Sequence, residues 1–216
     1  FMPLFGWIDK DGNRRYRKAF VIVPKKNGKS TLASGVGLYL LCGSGEPGAE
    51  VYSAATDEDQ AGIVHREAIN MVDSSPHLTK ALRINRSTKN IAHPGSKSFY
   101  RALTAKAGSK EGLNAHGIIC DELHVWNGRE LWDTLRYAGI ARRQPLIFVI
   151  TTAGEDMESV CRKEYERAKQ IIAGDVVDSS FFPLIYEAEI TDDIDDPQVW
   201  QKANPSWGVT MQESSF

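Results

Sequence analysis

The sequence of 216 residues predicts an α/β fold, a mostly parallel β-sheet with helices on both faces. Two observations carry this expectation. Short apolar runs of the buried-strand type, such as AFVIV and PLIFVI, alternate along the chain with longer segments whose apolar residues recur at helical spacing. Strands that are apolar throughout belong in a sheet covered on both sides, the usual setting of parallel strands. Composition agrees, with 42% hydrophobic and 25% charged residues, and a chain of this length buries roughly 70–75% of its unfolded surface.

The elements follow in order. Phe1 stands ahead of Met2, and the opening residues read as the middle of a longer chain. In WIDKDGNRRYR, Asp11-Gly12 suits a hairpin turn. Residues 19–23 form a buried strand, and residues 29–42 a helix with Leu32, Val36, Tyr39 and Leu40 on one side. A second strand spans residues 50–54, and Thr56 caps a helix to about residue 72, with Asp59 where a capping box places its acid. Residues 82–104 read as two or three short strands broken at HPGS. HGIICDE is a strand ending in two carboxylates, followed by a helix over about 129–138 and the buried strand PLIFVITT. A helix over about 158–173 keeps Val160, Cys161, Tyr165, Ala168 and Ile172 in register, and residues 181–188 form a last strand. Residues 1–190 are thus expected to form one domain, and the acidic, proline-punctuated residues 191–216 a linker leaving it.

Composition also excludes classes of function. Neither long apolar run approaches the ~20 residues of a membrane-spanning helix, and no charged start with an apolar stretch marks an export signal. Cys42, Cys120 and Cys161 are odd in number and widely spaced, which suits neither a disulfide framework nor a zinc site and fits a reducing compartment. The formal net charge of −2 hides a strong asymmetry. Residues 80–110 hold Lys80, Arg83, Arg86, Lys89, Lys97, Arg101, Lys106 and Lys110 without one carboxylate, whereas residues 175–201 hold eight carboxylates and no Lys or Arg. A basic segment of this kind is either a surface for an anionic partner or a solvated face.

Three motifs carry chemistry. In VIVPKKNGKSTLASG, a strand leads through Gly28-Lys29-Ser30 into a helix. A phosphate-binding loop uses backbone N–H groups at a helix start, a lysine and a magnesium-holding hydroxyl in this order. The strict pattern wants a glycine five residues before Gly28 and finds Val23, so an incidental helix start is the alternative. The second motif, GIICDE, puts Asp121 and Glu122 at a strand end. In nucleotide hydrolases the first such carboxylate holds magnesium and the second orients or deprotonates the attacking water; otherwise the pair is only a polar strand end. The third, FVITTAG, ends a buried strand in Thr151 and Thr152, which suit either sensing of a γ-phosphate or a turn. The first two fall where open α/β sheets collect ligands, beyond the carboxyl ends of the strands.

In this order VPKKNGKSTLA, GIICDELH, ARRQPLIFVITTAG and WQKANPSWG, spread over residues 5–208, resemble the ATPase domain of the large terminase subunit of tailed double-stranded DNA bacteriophages. The resemblance implies a P-loop NTPase-type core of the additional-strand, RecA/helicase-like kind. In that family the loop usually lacks its first glycine, and a basic residue stands three places before the second; Lys25 stands there. By the same resemblance Lys25, Lys26, Asn27, Gly28, Lys29, Ser30 and Thr31 bind ATP phosphates, Ser30 and Asp121 hold Mg²⁺, Glu122 is the catalytic carboxylate, and Thr151, Thr152 and Gly154 couple hydrolysis to movement. It further implies translocation of double-stranded DNA into a procapsid, a ring of subunits, the portal protein and the small terminase subunit as partners, and a host cytoplasmic location.

The match has gaps. Related terminases often carry an arginine before a glycine ahead of the Asp-Glu strand, where this chain has Glu111; Lys110, Arg142 and Arg143 are therefore the candidates for a trans-acting finger. The family's adenine-contacting segment and its RNase H-like nuclease domain are not recognised in these residues, and Asp192, Asp193, Asp195 and Asp196 read as a solvated run rather than nuclease ligands. For DNA backbone contact, Arg83, Arg86, Lys89, Lys97 and Arg101 are the candidates. DELH also resembles the DExH box of helicase-like ATPases, which need a second motor domain; a non-hydrolysing ATP-gated scaffold is the reading from another class, and Glu122 argues against it.

Overall fold

The computed structural model describes residues 2–56, 58–103 and 112–212, without the side chains of residues 58 and 59. Asp59 as capping acid and Lys106, Lys110 and Glu111 lie outside the described residues or side chains. In chain order the elements are α1 (Met2–Gly6), β1 (Lys18–Ile22), α2 (Lys29–Leu38) running on as a π-helical turn (Tyr39–Gly43), β2 (Glu50–Ala54), α3 (Glu58–Asp73), α4 (Pro76–Ala81), β3 (Arg83–Asn85), β4 (Asn90–His93) and β5 (Ser98–Leu103). There follow β6 (Ala115–Asp121), α5 (Glu130–Leu135), β7 (Leu146–Thr151), α6 (Val160–Ala173), β8 (Phe181–Ile185) and α7 (Pro197–Ala203). Among the described residues all strands join one sheet in the order β3-β4-β5-β2-β6-β7-β1-β8. From β5 to β8 every pairing is parallel, and β3 and β4 extend the edge antiparallel. Strand β7 lies between β1 and β6, which is the additional-strand arrangement.

Strand periodicity of two sorts the core into two layers. Ala19, Val21 and Val23 face one side with Ile119, Phe148 and Ile150, where Val36, Leu40, Val64 and Ala68 of the α2–α3 layer cover them. Phe20 and Ile22 face the other side with Ile118, Cys120 and Val149, covered by Leu123, Leu135, Cys161 and Ala168. Local signals set the ends: Ser159 Oγ accepts from Arg162 N at 3.1 Å to cap α6, and Gly174 closes that helix in the left-handed region. The Asp11-Gly12 turn forms as expected, with Gly12 at φ 75° between the bridged Ile8 and Arg14.

Three expectations need correction. The helix expected over 129–138 is only α5, which buries just Trp132 and Leu135 and gives way to turns after Leu135. Helix α4 was not expected; its signal is Ser75-Pro76, a side-chain cap accepting from Leu78 N followed by proline at the first helical position. The tail read as a departing linker contains α7, capped by Asp196, and returns to the loop after β1: Ala203, Asn204 and Met211 are buried, the last two against Asn27.

Candidate active site

Strand β1 ends against Pro24, and the chain turns through residues 25–28 before α2 begins. Gly28 takes φ 72° and ψ 26° with no side-chain cap, so the first-turn N–H groups of the ten-residue helix α2 are left to an external acceptor. Lys26 is also left-handed, at φ 66°. Lys29 is 8% exposed and folds back over the loop, its Nζ 3.4 Å from the Pro24 carbonyl and 3.6 Å from Glu122 Oε1. The loop and the Asp-Glu strand end, 93 positions apart by subtraction (122 − 29), therefore converge on one point.

Asp121 closes β6 and is 7% exposed. Burial pushes its carboxyl up to about 6; the neighbouring Glu122 adds to the rise and Lys29 opposes it. Its Oδ1 is buried without a hydrogen-bond partner. Glu122 stands in the left-handed region at φ 49° and ψ 49°, a conformation that costs a residue with a side chain on the order of 1–2 kcal/mol. The turn is held by Glu122 N donating to Ile150 O at 3.0 Å and by Trp126 Nε1 donating to Asp121 O at 3.1 Å. Strained backbone fixed by its surroundings is common where a side chain has to be aimed.

His124 joins this strand end to the third motif. Its N donates to Thr151 Oγ1 at 3.2 Å, its Nδ1 lies 3.0 Å from the same oxygen, and Thr152 Oγ1 is 3.3 Å from the ring nitrogens. The same Nδ1 is 3.2 Å from Glu122 Oε2, which has no hydrogen-bond partner, so this is a close contact without hydrogen-bond geometry. Burial holds the imidazole below its ordinary range, with Glu122 opposing and Lys29 and Lys25 reinforcing the drop, so the ring is neutral near pH 7. Gly154 permits this proximity: a Cβ there would sit 2.8 Å from His124 Cβ.

The remaining expected residues separate. Lys25 is exposed on the loop, while the Thr31 hydroxyl turns to Glu67 Oε1 at 3.3 Å. The Asn27 side chain faces away from α2, with Nδ2 donating to Asn204 Oδ1 at 2.8 Å and Oδ1 accepting from Ser206 N at 3.0 Å. Arg142 lies at the amino ends of the strands, opposite its own chain's loop, where it donates to the carbonyls of Asn114 and Gly48 at 2.9 and 2.7 Å and pairs with Glu46 and Glu50. Arg143, at the same end, donates to Asn13 Oδ1. By strand register, Arg86, Lys89 and Arg101 lie toward the carboxyl end of β5 and Arg83 and Lys97 toward its amino end. Arg86 is paired with Asp73 at 2.6 Å and Arg101 lies over Phe99. Sequence reasoning missed His124 as a contact of the threonines and Asn204 and Ser206 as contacts of the loop, although DELH and WQKANPSWG contain them.

The family model described as "Terminase large subunit, ATPase domain" matches residues 2–170. The chain belongs to this terminase family. Over 204 residues, 92% of the chain, it is 28% identical to the terminase large subunit of Enterobacteria phage HK97, and over 110 residues, 50% of the chain, 37% identical to Protein YmfN of Escherichia coli K12. The crystal structure of the HK97 large terminase superposes with a TM-score of 0.83 at 25% identity over 99% of the chain. The chain spans 39% of the HK97 sequence, 43% of that structure and 24% of YmfN. These matches identify a terminase ATPase domain with a RecA-like core and do not favour the helicase-like or scaffold readings. Among the described residues no helix of this terminase domain is long and apolar enough to cross a membrane.

Proposed function

We propose that residues 1–190, with the tail packed against their loop, form the ATP-hydrolysing motor of a viral DNA-packaging enzyme and that residues 191–216 lead on toward a nuclease domain. The observation that carries the reading is the convergence of Lys29, Asp121, Glu122 and His124 beyond the carboxyl ends of β1 and β6. Lys29 Nζ lies 3.6 Å from Glu122 Oε1. The N–H groups of residues 27–31 and the Lys29 ammonium receive the ATP phosphates, and the Glu122 carboxylate orients and deprotonates the attacking water. His124, held by Thr151 and Thr152, packs against the Glu122 carboxylate and joins this strand end to strand β7.

The donor set fits magnesium, since a buried carboxylate with an unpartnered oxygen on Asp121 and the hydroxyl of Ser30 are hard oxygen ligands of the kind this ion takes. Bound with ATP, it supplies charge neutralisation on the phosphates. The cation that completes the transition state comes from a neighbouring subunit in a ring, with Arg142 and Arg143, both remote from their own chain's loop, as candidates. Double-stranded DNA is contacted through its backbone by the basic edge strands, with Lys97 and Arg101 among the exposed members; portal protein and small subunit dock elsewhere, in the host cytoplasm. Glu122→Gln tests the reading. It keeps ATP binding and lowers turnover by about 10²–10⁴; unchanged turnover with ATP bound overturns the role of Glu122.

A further inference from the structure

The loop lacks the first glycine of the strict motif, yet it places Lys26, a residue with a full side chain, at φ 66°. A left-handed lysine is unfavourable unless its surroundings hold it. Those surroundings come from residues 204–211, distant in sequence. Thr210 Oγ1 donates to Lys26 O at 3.0 Å, and Ser206 Oγ to Asn27 O at 3.4 Å. The Asn27 amide is engaged at both ends, by Asn204 Oδ1 at 2.8 Å and by Ser206 N at 3.0 Å, with Met211 Sδ 3.3 Å from its nitrogen. Asn27 and Asn204 are 8% and 5% exposed, so these amides have little access to solvent. The strap is itself anchored, because Asn204 Nδ2 donates to Trp200 O at 2.8 Å, Asp196 caps α7, and Lys202 pairs with Asp192 at 2.7 Å.

Peptide geometry gives these contacts a direction. In a planar trans peptide the C=O and the following N–H point opposite ways. With the carbonyls of Lys26 and Asn27 bound by the tail, the N–H groups of Asn27 and Gly28 point away from it. Those are donors at the helix start, where an anion is received. We propose that residues 204–211 are a strap that positions the phosphate loop, acting chiefly through the Asn27–Asn204 pair, so that affinity for ATP is set partly by a segment beyond the last strand. The inference rests on the nucleotide reading of the loop given above.

The test uses the full-length protein and reads KM for ATP, kcat and thermal midpoint for Asn27→Ala, Asn204→Ala and the double variant. Each single change raises KM about tenfold while kcat falls less than about threefold, the signature of lost ground-state binding. The double variant raises KM no further than the worse single one, because both remove the same contact. Should Asn204→Ala fail to fold, Thr210→Val decides: it removes an exposed hydroxyl's bond to Lys26 O and raises KM about threefold at an unchanged midpoint. Unchanged KM in folded variants, a fall in kcat alone, or losses that multiply in the double variant overturn the strap while leaving the nucleotide site standing. A wild-type protein that neither binds nor hydrolyses ATP overturns the nucleotide reading itself and the strap with it.

Discussion

The substitution Asp121→Asn should stabilise the ATP-free protein while removing its activity. Asp121 is 7% exposed, carries a buried oxygen with no partner, and has its carboxyl pushed from 3.8 to about 6. Above pH 6 it is ionised in both the folded and the unfolded chain, and the folded chain bears the cost of burying the charge. Each pKa unit is worth about 1.36 kcal/mol, so the cost is about 3 kcal/mol at most. Because the folded value is the higher one, the unfolded chain releases its proton first as pH rises, and stability is lost across the window from 3.8 to about 6. The asparagine side chain has nearly the same shape and no charge; its amide inherits an unpartnered position, which trims the gain. Thermal unfolding without nucleotide or magnesium should show a midpoint raised by up to about 5–10 °C at pH 7.5, about half that near pH 5, and little change near pH 4. A midpoint that is unchanged or lower at pH 7.5, or a gain independent of pH, refutes the assignment of Asp121 as a buried, destabilised charge.

Gly154→Ala puts a Cβ 2.8 Å from His124 Cβ, and the displacement should cost about 1–3 kcal/mol in chemical denaturation and reduce ATP turnover; a variant normal in both shows that the close approach is dispensable. Arg142→Ala leaves Glu46 and Glu50 without their shared cation and should destabilise the fold by about 3–5 kcal/mol. If it is instead of normal stability and loses turnover only in assembled rings, Arg142 acts as the finger. Lys97→Glu with Arg101→Glu should lower DNA-stimulated ATPase activity and flatten the slope of log affinity against log salt by roughly two; an unchanged slope makes this edge a solvated face.

Much of the fold was legible because it is written locally. Residues 50–54 read as a strand and are β2, and the break at HPGS separates β4 from β5 as a short 3₁₀ turn. Apolar runs bounded by turn residues state their type without reference to the rest of the chain. Strand order does not have this property. Nothing in PLIFVITT says that β7 inserts between β1 and β6 and shares its register with both, because lateral order follows from which apolar faces fit together over long separations. Helix α4 was missed for another reason: six residues that bury none of their side chains leave no periodic stripe, and only the Ser75-Pro76 cap marks them.

The site divides along the same line. Lys29, Asp121 and Glu122 were readable because a phosphate loop and a carboxylate-ended strand are each short motifs with a fixed chemistry. What the motifs do not contain is the aim of each group. Glu122 reaches Lys29 because its own backbone is turned left-handed, a conformation no propensity assigns to glutamate, and that turn is held by Ile150 and Trp126 from outside the motif. The tail presents the extreme case. Its composition, acidic with two prolines, is that of a linker, yet a few polar atoms on Asn204, Ser206 and Thr210 decide where it lies. Single polar hydrogen bonds leave no trace in hydrophobic periodicity, and those from the Ser206 and Thr210 hydroxyls matter here because their acceptors are the very carbonyls whose peptides carry the N–H donors of the loop. A loop without its first glycine has to obtain its conformation from somewhere else, and in this chain the groups positioned to supply it lie 177 to 184 residues downstream.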